Sequence, residues 1–138
     1  MKTTICTAFG IVGSGIATMF GGWDQGLITL IIFMAVDFAS GSVVAAVFKK
    51  SNKTKTGGLN SSIGWKGLCK KCMTLLFVLI AYRLDLTIGS NYIRDMVIIA
   101  FITNELISIT ENAGLMGMPI PNVIKKAIDV LQRKESEG

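Results

Sequence analysis

One stretch, Tyr92 to Asn112, restricts what this chain can become more than any other. Its apolar content suits a helix that crosses a bilayer, yet its second half carries Asn104, Glu105, Ser108, Glu111 and Asn112. At about 100° per residue these five occupy roughly a third of a helix circumference, with Arg94 on the same side. Ile98, Ile99, Ile102, Leu106 and Ile109 keep the other side apolar. Such a helix tolerates lipid on one side only. The other side needs a polar protein neighbour or water.

Composition agrees with a membrane class. Of 138 residues, 51% are hydrophobic and 17% charged, and the apolar residues cluster into runs instead of spreading at core periodicity. No boundary divides the chain, so residues 1–138 form one integral membrane unit. The net charge of +5 raises nucleic acid as a partner. Most of the lysines flank apolar runs, however, as on the cytoplasmic side of membrane spans, which argues against that partner.

The spacing predicts an all-α membrane protein with spans at about 4–23, 27–48, 68–89 and 92–112, followed by an amphipathic helix over 122–133. The first span is weak, and three spans are the alternative. It is Gly-rich, and Gly10, Ser14 and Thr18 recur every four residues, which is either a helix-packing stripe or merely a poorly apolar helix. No small-x-small cleavage site ends it, so it is not taken for a leader. Trp23 is placed as an interfacial anchor. The second span carries Asp37, with Ser40 and Gly41 on the same face. A carboxylate at that depth costs roughly 2.5–3.5 kcal/mol unless it is protonated, paired or wetted. Arg83 lies near the end of the third span, where it either snorkels to the interface or pairs with a carboxylate of another span.

Seven lysines lie between Lys49 and Lys71, and Lys125, Lys126, Arg133 and Lys134 follow the last span. The positive-inside rule puts this loop and both termini in the cytoplasm, with the loop near anionic headgroups. Gly114, Gly117, Pro119 and Pro121 end the fourth helix. Asn122 caps a final helix that is apolar along Val123, Ile124, Ala127, Ile128 and Leu131, suited to a membrane surface or a neighbouring subunit. Residues 134–138 are expected to be disordered.

The chemistry this sequence permits is narrow. Histidine is absent, which removes the usual general base and the commonest metal ligand. Cys69 and Cys72 form a C-x-x-C pair, but without His or a second pair it closes no zinc site. No catalytic residue, metal or cofactor is expected, and no enzyme. Two functions remain: a homo-oligomeric pore, or a small four-span proton-coupled exporter. Exporters of the small multidrug-resistance kind keep their key acid in the first span, and residues 4–23 contain none.

The ordered set Asp37-Phe-Ala-Ser-Gly-Ser, Ser61-Ser-Ile-Gly-Trp-Lys-Gly-Leu, Lys70-Lys71, Ala81-Tyr-Arg-Leu-Asp85, Asn104-Glu-Leu-Ile-Ser-Ile-Thr-Glu-Asn112 and Gly117-Met-Pro-Ile-Pro121 resembles the small holins of phage lysis and clostridial toxin secretion. The resemblance covers about residues 27–133; Arg83 departs from the pattern. It implies a bacterial inner-membrane protein that oligomerises into lesions. Endolysin or a signal-less toxin then crosses without being specifically bound, leading to host cell lysis or protein export. On this view Asp37, Ser40, Arg83, Asn104, Glu105, Ser108, Glu111 and Asn112 are candidates to line the lesion or to join helices within a subunit.

Overall fold

The computed structural model describes residues 1–137, which form five helices and no strand. They are α1 (Lys2–Met19), α2 (Gln25–Val43), α3 (Ser61–Ile88), α4 (Ile93–Leu115) and α5 (Asn122–Glu137). A π-helical turn, Val44–Phe48, prolongs α2. Among the described residues one continuous helix, Gln25–Phe48, is long and apolar enough throughout to cross a membrane by length and composition.

The helix ends follow from local chemistry. Asp24 caps α2 by accepting the Leu27 N–H at 3.0 Å. Lys49 ends the π turn in a left-handed conformation, φ 52°. The Asn60 side chain accepts the N–H groups of Ser62 and Ile63 at 2.9 and 3.3 Å, so α3 begins seven residues before the span expected from hydropathy. At about 1.5 Å per residue α3 is some 42 Å long, more than a hydrocarbon core requires. Its first turns, with Trp65 exposed, extend past the bundle's apolar core. Gly89 closes α3 at φ 82°, its N–H on the Asp85 carbonyl at 2.8 Å.

The core is a seam between α2, α3 and α4. Leu27, Leu30 and Met34 come from α2, Val78 from α3, and Ile98 and Ile102 from α4. The helical spacing of these residues continues into polar positions. The buried stripe of α4 runs Arg94, Ile98, Ile102, Glu105, Asn112, and that of α2 runs Leu27, Leu30, Met34, Asp37. Helix α4 is central: it packs against α2, α3 and α5, whereas α2 and α3 meet only slightly.

Two elements lie differently from the expectations. Helix α1 buries only Ala17. Gly10, Ser14 and Thr18 are exposed, and a Cβ at Gly10 would meet nothing within 4 Å, so among the described residues the small-residue stripe packs against no helix of its own chain. What ties α1 down is its C-terminal end, where Phe20 packs on the core and Gly21 abuts Tyr82 and Arg94. Helix α5 extends to Glu137, correcting the expected disorder of residues 134–137; Gly138 lies outside the described residues. Instead of leaving the bundle, α5 turns back at Gly117 (φ 83°) and packs on α4, with Leu131 reaching the core.

Candidate functional site

The seam carries a polar layer at each end of its apolar core. In the first, Lys71 of α3 bridges the other two helices. Its Nζ donates to Asp37 Oδ2 of α2 at 2.8 Å and to Glu105 Oε1 and Oε2 of α4 at 3.0 and 2.9 Å. Asn112, about two turns along α4 from Glu105, donates through Nδ2 to Asp37 Oδ1 (3.0 Å), the Asp37 carbonyl (3.2 Å) and Ser40 Oγ (2.9 Å). Asp37, Glu105 and Asn112 are each 6% exposed. Gly41 of α2 faces the Asn112 amide, and a Cβ there would lie 3.6 Å from Nδ2, an ordinary van der Waals distance. Two carboxylates thus share one ammonium, and each of the three helices contributes a charge. This layer forms part of the wall of a cavity of about 250 Å³ between α2, the 49–60 loop, α3 and α4: Asp37, Lys71, Glu105 and Asn112 line it, with Lys53 and Asn104.

The second layer is organised by Arg94. Its guanidinium donates to Asp24 Oδ2 at 2.6 Å and Oδ1 at 3.3 Å, to the Phe20 carbonyl at 2.5 Å and to the Gly22 carbonyl at 3.2 Å. One side chain therefore holds the α1–α2 turn against the start of α4. Asp85, at the end of α3, accepts the backbone N–H groups of Ile93 and Arg94 at 3.0 and 2.9 Å and the Ser90 hydroxyl at 2.6 Å. It caps α4 from a neighbouring helix, where the free N–H groups and the helix dipole favour an anion. Hydrogen bonds from Arg94 hold the Asp24 carboxyl below its ordinary value, and partial burial opposes the shift only in part. Among the described residues no buried side-chain polar atom lacks a partner.

The sequence candidates therefore separate. Asp37, Ser40, Glu105 and Asn112 meet in one layer. Asn104 is exposed and lines the cavity, Ser108 is half-buried, and Glu111 is exposed. The polar face of α4 is split: Glu105 and Asn112 turn inward, Asn104 and Glu111 outward. Arg83 is the correction. It is exposed and makes no ion pair among the described residues, because at about 200° from Ala81 and 160° from Asp85 around α3 it points away from the seam. The cations that serve the buried carboxylates and the turn are Lys71 and Arg94. Lys71 was missed because it looks like one more lysine of a basic flank. Its signal is spacing: Lys71, Val78, Ala81 and Asp85 follow one another at seven, three and four residues along α3. The three cysteines are free and exposed.

Residues 14–133 match the bacteriophage holin family. The chain belongs to that family. Its relatives include an uncharacterised protein of Listeria monocytogenes, 38% identical over 132 residues that cover 94% of this chain and 89% of the relative. An uncharacterised Clostridium perfringens protein is 35% identical, covering 96% and 95%. The uncharacterised Bacillus subtilis protein YtkC is 25% identical over 83% of this chain and 81% of its own length. No solved structure matches. Membership of the holin family puts this chain at a membrane and in a family that is not one of enzymes. The matched region takes in both polar layers of this holin-family chain and most of the described helices.

Proposed function

We propose that this chain acts as a holin: it accumulates in the bacterial cytoplasmic membrane and assembles with copies of itself into lesions. A cell-wall hydrolase, or a toxin without an export signal, then leaves the cytoplasm through them. The observation that carries the reading, beside the family, is the internal pairing of charges along the seam. Lys71 with Asp37 and Glu105, and Arg94 with Asp24, take charges that α3 and α4 could not present to lipid and hold them inside the bundle. Outside the seam, Leu76, Phe77, Ile80 and Leu84 of α3 and Ile32 and Val36 of α2 are exposed, as suits helices surrounded by acyl chains.

On this reading α1, α2 with its π turn, α3 and α4 are the four spans. The seven lysines from Lys49 to Lys71, the N-terminus and the turn between α4 and α5 face the cytoplasm, with the lysines near anionic headgroups. The turns at 20–24 and 89–92, tied together by Arg94 and Asp85, face outward. The buried Asp37, Glu105 and Asn112 join helices within a subunit; they do not line the lesion.

Induction in bacteria, alone and with a co-expressed cytoplasmic endolysin, tests the reading. Abrupt loss of membrane potential and endolysin-dependent lysis are the expected outcome. Efflux of one substrate class with the potential intact would replace it with a proton-coupled exporter, in which the carboxylates beside the cavity would be the coupling site.

A further inference from the structure

If Asp37, Glu105 and Asn112 are committed inside the subunit, some other surface must meet water when a lesion opens. Helix α5 supplies one. Its apolar side, Ile124, Ala127, Ile128 and Leu131, is half-buried, and Leu131 packs on the core formed by α2, α3 and α4. Its other side, with Lys125, Lys126, Asp129, Gln132 and Arg133, is exposed. Because α5 turns back at Gly117–Pro121 and runs along α4, the helix from Asn122 carries Arg133 about 16 Å from the turn toward the middle of the bundle. Were α4 surrounded by acyl chains on this flank, three cations and a carboxylate would lie beside hydrocarbon, where charged side chains are rare unless they face a cavity or a partner.

We propose that α5 is the water-facing wall of the assembled lesion: docked on α4 through Ile124, Ala127, Ile128 and Leu131, it turns Lys125, Lys126, Asp129 and Arg133 toward the lumen, whose remaining wall is the same face of further copies. The proposal rests on the holin reading and names the surface that reading leaves open. It also fits the packing. Lifting α5 onto the membrane surface would withdraw Leu131 from the core, whereas a lumen wets the charged face with every contact kept.

Helix depth in a bilayer tests it. In a chain whose Cys6, Cys69 and Cys72 are replaced by Ser, nitroxide labels are placed at Lys126→Cys, Arg133→Cys and, on α4, Asn104→Cys. The full chain is reconstituted in phosphatidylglycerol–phosphatidylethanolamine vesicles; depth is read from the paramagnetic effect of each label on the headgroup phosphorus nuclei, and water access separately from quenching by a water-soluble nickel chelate. The expected result is a label at Arg133 about 10 Å deeper than the one at Lys126, with both open to the chelate. Equal depth for the two at the headgroups, with Asn104 deep, overturns the proposal and leaves the membrane reading standing. A deep Arg133 label closed to the chelate also overturns it. A shallow Asn104 label overturns the membrane reading and the proposal together.

Discussion

In the Arg94 layer one guanidinium meets the Asp24 carboxylate, two carbonyls and, at 3.7 Å, the exposed Asp95 carboxylate at the rim of the bundle, and the Asp24 side chain it holds is still half exposed to solvent. In the Lys71 layer one ammonium meets two carboxylates that are 7–8% exposed at their side chains. The first arrangement ties a turn to a helix end, and its carboxylate can fall back on water. The second joins three helices, and its carboxylates, nearly buried, reach water only through the cavity they line. A buried ion pair gives weak net stability but is costly to break from one side, because the remaining charge stays desolvated. The two layers should therefore respond very differently to the loss of their cations.

Lys71→Met is the largest expected effect. It strands Asp37 and Glu105 against each other, and a loss of about 3–5 kcal/mol follows from removing one partner of a buried ion pair. Thermal or denaturant unfolding of the purified protein in detergent measures it. Arg94→Met should cost less, about 1–3 kcal/mol, the range for buried acceptors left without a donor, since Asp24 can turn to solvent and the Phe20 and Gly22 carbonyls remain. Equal losses for the two variants would erase the distinction between the layers.

Gly21→Ala sharpens the same contrast from the packing side. Gly21 sits at φ 88°, and a Cβ there would lie 2.8 Å from the Tyr82 ring and 3.0 Å from Arg94 Nε. Strain and overpacking together predict a loss of about 1–3 kcal/mol in the same unfolding assay, with the Lys71 layer unaffected. The pH response of the Arg94 layer is a smaller effect. Because the folded state lowers the Asp24 value, its contribution is complete above the unfolded carboxyl's range and fades as pH falls through the folded one. Unfolding midpoints should thus drop below about pH 4, and drop less in Asp24→Asn, which retains the α2 cap while losing the charge. Arg83→Ala should be nearly silent, within about 0.5 kcal/mol, as for surface substitutions away from any network.

The contrast between Arg83 and Lys71 also explains how much was legible in the sequence. The second and fourth helices were readable because their apolar runs are long. Asp37, Glu105 and Asn112 stood out because polar groups inside such runs require partners. The identity of the cation was not readable from composition. Arg83 looked like the partner because it interrupts an apolar run, and Lys71 was lost among the flanking lysines. Only the seam spacing, which needs the three helices placed side by side, tells an inward cation from an outward one. The start of α3 at Asn60 was hidden because the helix extends beyond its apolar run. The course of α5 was hidden for another reason: Gly117 with Pro119 and Pro121 stops α4 without fixing the direction in which the chain leaves.

The central claim is that Lys71 and Glu105 hold one another inside a subunit, so that the bundle can sit in lipid without offering its carboxylates to acyl chains. A double-mutant cycle with Lys71→Met and Glu105→Gln, read by unfolding in detergent, tests it most directly. The account predicts that the double variant recovers part of the loss, with a coupling of about 1.5 kcal/mol or more. Additive losses would contradict it.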